Sequence, residues 1–133
     1  MPKKLVLCVD DEAIILLSLK AAMKAALGPD YAFETALSAE EALAFMDAMG
    51  AEGAAPDLIV SDWRMPGMNG EGFLREARRR LPKVPLMVLS GYAERDHIRS
   101  LSQELGLAAC FQKPCPAKTL AQAIRAATGG DLG

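Results

Sequence analysis

Four places in this sequence carry side chains suited to phosphate chemistry. Asp10-Asp11-Glu12 closes one apolar run, Ser61-Asp62 a second and Ser90 a third, while Lys113 follows a weaker fourth. Several carboxylates brought together repel one another and cannot all stay ionised unaided. A hard divalent cation is one remedy. Mg²⁺ takes one or two protein carboxylates, keeps several waters and completes its octahedron with phosphate oxygens. An Asp beside such a metal can act as a nucleophile and form an acyl phosphate. Lys113 would place a point positive charge on the phosphoryl oxygens, and the Ser90 hydroxyl can donate a hydrogen bond to the same group. The set holds no Ser-His-Asp or Cys-His nucleophile.

These groups can meet only if the runs before them lie side by side. Leu5–Val9, Leu58–Val60 and Leu86–Leu89 are short and continuously apolar, as strands buried on both faces of a parallel sheet are. Tyr31–Leu37 has its large residues at odd positions and reads as an edge strand; Ala108–Gln112 reads as a fifth strand. Helical patterns fill the intervals. Residues 13–27 place Ile15, Leu19, Ala22, Met23 and Ala26 near one face, and Gly28-Pro29 stops them. Ser38 with Glu41 opens a second helix in capping-box spacing. Residues 70–81 turn Phe73, Leu74, Ala77 and Leu81 inward and Arg75, Arg78 and Arg79 outward. Residues 94–105 and 116–127 complete the set. Five strands alternating with five helices predict right-handed βαβ units and a doubly wound five-stranded parallel sheet of the α/β class. In such folds the reactive crevice lies beyond the carboxyl ends of the strands, at the topological switch point.

Composition narrows the function classes. A chain of 133 residues with 51% apolar residues and a mean hydropathy of +0.13 fits one domain with a substantial core. A net charge of −2 and a pI near 5.4 argue against a nucleic-acid binder. Three Cys are an odd number and no disulfide framework, which points to a reducing, cytoplasmic setting. No apolar run approaches the roughly 18 residues of a membrane span, and Leu5–Val9 is too short for a signal-peptide core.

Four motifs stand in register with predicted strand ends: Val9-Asp10-Asp11-Glu12, Asp62 with Met65-Pro66-Gly67-Met68-Asn69-Gly70, Leu89-Ser90-Gly91, and Lys113-Pro114. In these the chain resembles the receiver domain of two-component response regulators, from Lys4 to about Thr128, with 129–133 as a short tail and no output domain. The resemblance implies a flavodoxin-like receiver fold with strand order 2-1-3-4-5. It implies that Asp62 is the phosphoacceptor, and that Asp11 is the acidic metal ligand with Asp10 as its partner. It makes the backbone carbonyl of Arg64 another metal contact, Ser90 the switch hydroxyl and Lys113 the phosphate-binding lysine, with a cis Lys113–Pro114 bond. Mg²⁺ is the implied cofactor. A histidine kinase or histidine phosphotransfer protein is the implied donor, and a downstream protein responds through changed protein–protein binding. No nucleic acid or membrane is bound directly, and the protein is a monomer or weak homodimer.

Other residues have plainer readings. Glu12 complements the first helix's N-terminus, Gly67, Gly70 and Gly72 make a turn and helix start, and Arg75, Arg78, Arg79 and Arg80 form a solvated face. His97 is a surface residue, Cys8 belongs to the core and Cys115 to a loop. Cys110 stands three residues before Lys113, where the family usually has an aromatic, and Phe111 packs inward. Cys115 replaces the Phe or Trp common after the proline, and with no ring at Cys110, Tyr92 on the loop that carries Ser90 is the substitute aromatic reporter of switching. The alternatives are a receiver fragment of a hybrid histidine kinase, a phosphate sink, or a Mg²⁺-dependent aspartyl-phosphate phosphohydrolase. That last class carries a second Asp two residues after its nucleophile, where this chain has Arg64.

Overall fold

The structure is a computed structural model and describes residues 3–65, 67–91 and 94–129. Its elements follow in strict alternation: β1 (Lys4–Val9), α1 (Ala13–Leu27), β2 (Tyr31–Ala36), α2 (Ala39–Ala51), β3 (Leu58–Asp62), α3 (Gly70–Arg80), β4 (Leu86–Ser90), α4 (Arg95–Leu105), β5 (Ala109–Gln112) and α5 (Ala117–Ala127). The five strands form one parallel sheet in the order β2-β1-β3-β4-β5. β3 and β4 run on through Ser61-Asp62 and Ser90, so these polar residues are themselves strand residues, carried to the sheet's carboxyl edge.

Alternation within each strand feeds two cores. Leu7, Val9, Ile59, Leu86 and Val88 pack under α2, α3 and α4 with Met46, Phe73, Leu74, Ile98 and Leu101. Val6, Cys8, Leu58, Val60 and Met87 pack on the other face with Leu16, Met23, Leu120 and Ile124 of α1 and α5. Burial on both sides is why the central strands read as unbroken apolar runs. Phe111 joins the α1/α5 core, while Cys110 points the other way and is exposed.

Two local features, the rotation of α1 and the role of Arg78, differ from the sequence reading. In α1 the buried residues are Leu16, Met23 and Leu27, whereas Ile15 is 44% exposed and Ala26 is exposed. The segment Ala13–Leu17 is apolar all round, so periodicity cannot set the helix's rotation; docking on the sheet and α5 does. Arg78 is no solvated arginine. Its guanidinium donates to the carbonyls of Leu105 (2.9 Å), Pro82 (2.9 Å) and Val84 (2.8 Å), clasping the ends of α3 and α4. Glu12 occupies the N-cap of α1 but makes no side-chain capping bond. The Ser38 hydroxyl caps α2 by accepting from the Glu41 amide at 3.0 Å, and the Glu41 carboxylate reaches back to the Leu37 amide at 2.8 Å. Tyr92, the substitute aromatic reporter, lies outside the described residues.

Candidate functional site

The switch point falls between β1 and β3, whose crossovers leave on opposite faces of the sheet. Asp10 emerges from the end of β1, its amide donating to the Ala36 carbonyl at 3.1 Å and its Oδ1 accepting from the Glu12 amide at 3.0 Å. Asp62 is the last residue of β3, with its side chain only 8% exposed. Carboxylate oxygens of Asp10, Asp11 and Asp62 lie within 4.8 Å of one another, Asp11 being the exposed member. An all-oxygen, all-anionic set of this size suits a hard divalent cation.

Lys113 enters from the β5–α5 connection. Its amide donates to the Ser90 carbonyl at 2.8 Å, which fixes the backbone from which the side chain reaches inward. Nζ stands 2.5 Å from Asp62 Oδ1 and 4.0 Å from Asp10 Oδ2. The Lys113–Pro114 bond is cis. Burial pushes the Asp10 carboxyl up to about 6, and the Asp62 charge adds to the rise; the Glu12 amide and Lys113 oppose it. Burial lowers the Lys113 ammonium, but Asp62 and Asp10 outweigh it and hold its pKa above the usual value.

The loop after β3 turns sharply to start α3. The Gly70 amide donates to the Trp63 carbonyl at 2.9 Å, and a Cβ at Gly70 would come within 2.5 Å of that oxygen, so only glycine fits. Asn69 caps α3 by accepting from the Gly72 amide at 2.9 Å. Gly67 has φ +75°. The three glycines thus build a turn and helix start.

Asp10, Asp11, Asp62 and Lys113 are therefore brought together, as the spacing predicts. Arg64 borders the same acidic cleft, but its side chain turns to Glu94, with Nε 3.0 Å from Oε2 and Nη2 closing the pair. Ser90 is buried and lines the cleft between α4 and β5, held to Lys113 through its carbonyl. Sequence reasoning missed Glu94, which has no motif around it, and missed that His97 lies against Trp63, with ring centroids 5.6 Å apart, while bonded to Glu71 at 2.7 Å. In the first turns of α1, Ile14 (78%) and Leu17 (65%) are exposed apolar residues. A cavity of about 590 Å³ between α1 and the β5–α5 connection is walled by Ile15, Leu19, Leu89, Pro114 and Cys115 and reaches Asp10, Asp62 and Lys113.

A 2-1-3-4-5 parallel sheet with a carboxylate cluster and one lysine beyond its strand ends defines a flavodoxin-like α/β domain with an acidic, phosphate-suited cleft. Comparison with known proteins narrows the class. A sequence profile of the response regulator receiver domain matches residues 6–125, and the chain belongs to that family, the receiver domains of two-component systems. It is 33% identical over 90% of its length to sensor kinase CckA of Brucella abortus. It is 32% identical over 92% of its length to the hydrogenase transcriptional regulatory protein HoxA of Cupriavidus necator. The chain spans 12% of the first relative's length and 23% of the second's. The crystal structure of a response regulator receiver domain protein from Clostridium thermocellum superposes with a TM-score of 0.81 at 26% identity, covering 95% of this chain and 94% of that one. Receiver domains of this family are signalling domains that bind Mg²⁺ at an acidic pocket, here the Asp10, Asp11 and Asp62 cluster. They act with histidine kinases or phosphotransfer proteins. Among the described residues no helix is long and apolar enough to cross a membrane.

Proposed function

We propose that this protein accepts a phosphoryl group on Asp62 from a phosphohistidine of a kinase or phosphotransfer partner, and signals through changed protein–protein binding. The observation that carries this reading is the contact of Lys113 Nζ with Asp62 Oδ1 inside a cluster of three carboxylates. Asp11, Asp10, Asp62 and the Arg64 carbonyl would hold Mg²⁺, which when bound offsets the crowded negative charge and polarises the phosphoryl oxygens. The free Asp62 oxygen attacks phosphorus while the P–N bond to the imidazole breaks and its electron pair returns to the ring nitrogen. Lys113 moves from the carboxylate to an equatorial phosphoryl oxygen, and the Ser90 hydroxyl turns to donate to another. Water attack on phosphorus later returns the carboxylate and releases inorganic phosphate.

The donor must bring a histidine to within bonding distance of Asp62. The exposed Ile14 and Leu17 of α1, with the cavity between α1 and the β5–α5 connection, offer a surface for the donor's own apolar helix face. A phosphohydrolase would need an acid where Arg64 stands, and a guanidinium does not give up its proton at neutral pH. That argues for a switch over an enzyme turning over small phosphate esters.

Incubation with a small phosphodonor and Mg²⁺ adds one hydroxylamine-sensitive phosphoryl group, counted by intact mass. Asp62→Asn abolishes it. Equal labelling of that variant would overturn the assignment.

A further inference from the structure

We infer that the Arg64–Glu94 ion pair is a latch between the phosphorylation site and α4, which opens when a phosphoryl group on Asp62 takes the guanidinium from Glu94. The inference rests on the phosphoacceptor role proposed for Asp62 and names how that site is regulated.

The pair joins the loop after β3 to the start of α4, beyond the last backbone bond between the two segments, from the Trp63 amide to the Leu89 carbonyl at 2.9 Å. Arg64 sits two residues beyond Asp62 at the edge of the acidic cleft, close enough for the two charges to interact. Glu94 is the N-cap residue of α4, four residues beyond Ser90. The Arg64 side chain is 76% exposed, so it is free to swing; the Glu94 side chain is only 12% exposed. Glu94 Oε1 is closed off from solvent with no partner of hydrogen-bonding geometry among the described residues, and it lies 3.3 Å from where a Cβ on Gly91 would stand. Arg64 is the carboxylate's charged partner and the largest cause of its lowered pKa, with the Gly91 and Glu94 amides adding to the effect.

An aspartyl phosphate carries about −1.5 to −2 charges where the carboxylate carried one, and presents three acceptor oxygens. Arginine matches such oxygens in a two-pronged geometry that one carboxylate oxygen does not satisfy. Transfer of the guanidinium leaves Glu94 as a poorly solvated anion, and its relief is to turn outward with the first turn of α4. One turn further along, His97 stays against Trp63 and Glu71, and Ile98 and Leu101 stay in the core. The N-terminal turn can therefore move while the helix remains docked. A change two residues from the phosphoacceptor becomes a change on the surface that α4 presents.

Coupling of this kind is reciprocal, so cutting the latch must favour the phosphoryl state. The test uses the full chain with Mg²⁺ and beryllofluoride as the phosphoryl mimic, read by amide NMR and by Trp63 fluorescence titration. In wild type, beryllofluoride shifts the amides of residues 94–98. In Glu94→Gln those amides are already displaced toward the same positions without the mimic. Glu94→Gln also binds beryllofluoride about 2- to 5-fold tighter, the range expected from releasing one ion pair whose arginine is exposed. Arg64→Gln shows the same displaced amides but binds the mimic more weakly, and Arg64→Lys recovers part of the loss. Glu94 makes no side-chain capping bond, and glutamine keeps an oxygen for the nearby Gly91 and Glu94 amides, so Glu94→Gln removes chiefly the charge of the pair. Unchanged or weaker binding in Glu94→Gln, or full-strength binding in Arg64→Gln, overturns the latch while leaving phosphorylation of Asp62 standing. A wild type that neither binds the mimic nor labels at Asp62 overturns both.

Discussion

The crowding of charge at the site has a stability consequence that a single substitution exposes. Asp10 is almost wholly buried, and its carboxyl is raised from 3.8 to about 6. A group that binds its proton more tightly in the folded state makes stability fall as pH rises between the two values. Each pKa unit is worth 1.36 kcal/mol, so the ionised Asp10 costs the metal-free fold about 3 kcal/mol above neutrality. Asp10→Asn removes that charge and keeps the oxygen that accepts from the Glu12 amide. With EDTA present, the variant is therefore more stable than wild type by about 3 kcal/mol near pH 7.5. The gap narrows on acidification toward pH 5, where Asp10 is mostly protonated in the fold. Urea unfolding followed by the single Trp63 measures the gap at both pH values. The difference between the two proteins isolates Asp10 from Glu71, Glu94 and Glu104, whose lowered pKa values act in the opposite sense. Mg²⁺ at about 100 times its Kd adds roughly 2.7 kcal/mol to wild type and offsets the same repulsion. A variant no more stable than wild type near pH 7.5, or a gap that does not narrow on acidification, refutes the argument.

Two further outcomes follow from other residues. Asp11→Ala weakens Mg²⁺ binding by at least about tenfold, read by quenching of Trp63, which borders the same cleft; unchanged affinity would remove Asp11 from the ligand set. Arg78→Met leaves the carbonyls of Leu105, Pro82 and Val84 without their donor and lowers the unfolding free energy by about 2–3 kcal/mol. Arg78→Lys recovers little of this loss, because an ammonium cannot span the same fork; denaturant unfolding of both variants is the check.

Much of the site is legible in one dimension because its residues sit at boundaries that local chemistry marks. Asp10, Asp62, Ser90 and Lys113 each stand where an apolar run ends, and the end of such a run marks the end of a strand. The doubly wound topology then leaves few ways to arrange the runs, and all of those gather the four ends at one edge. The capping box at Ser38 and Glu41 is legible for the same reason, since helix starts are local.

What the tertiary structure alone decided are the pairings between segments far apart in sequence and the rotation of elements that carry no clear stripe. The apolar start of α1 offers two faces to the core, and only packing against α5 and the sheet turns Leu16 in and Ile14 and Leu17 out. Arg78 looks like its neighbours on α3 until the end of α4 and the α3–β4 connection place carbonyls around it. Arg64 and Glu94 are thirty positions apart with no motif around either, and they meet because β3 and β4 are neighbours whose following loops cross the same edge. Local propensity and period write themselves into a sequence residue by residue, whereas a side-chain pair across two strand ends exists only once the sheet has brought those ends together.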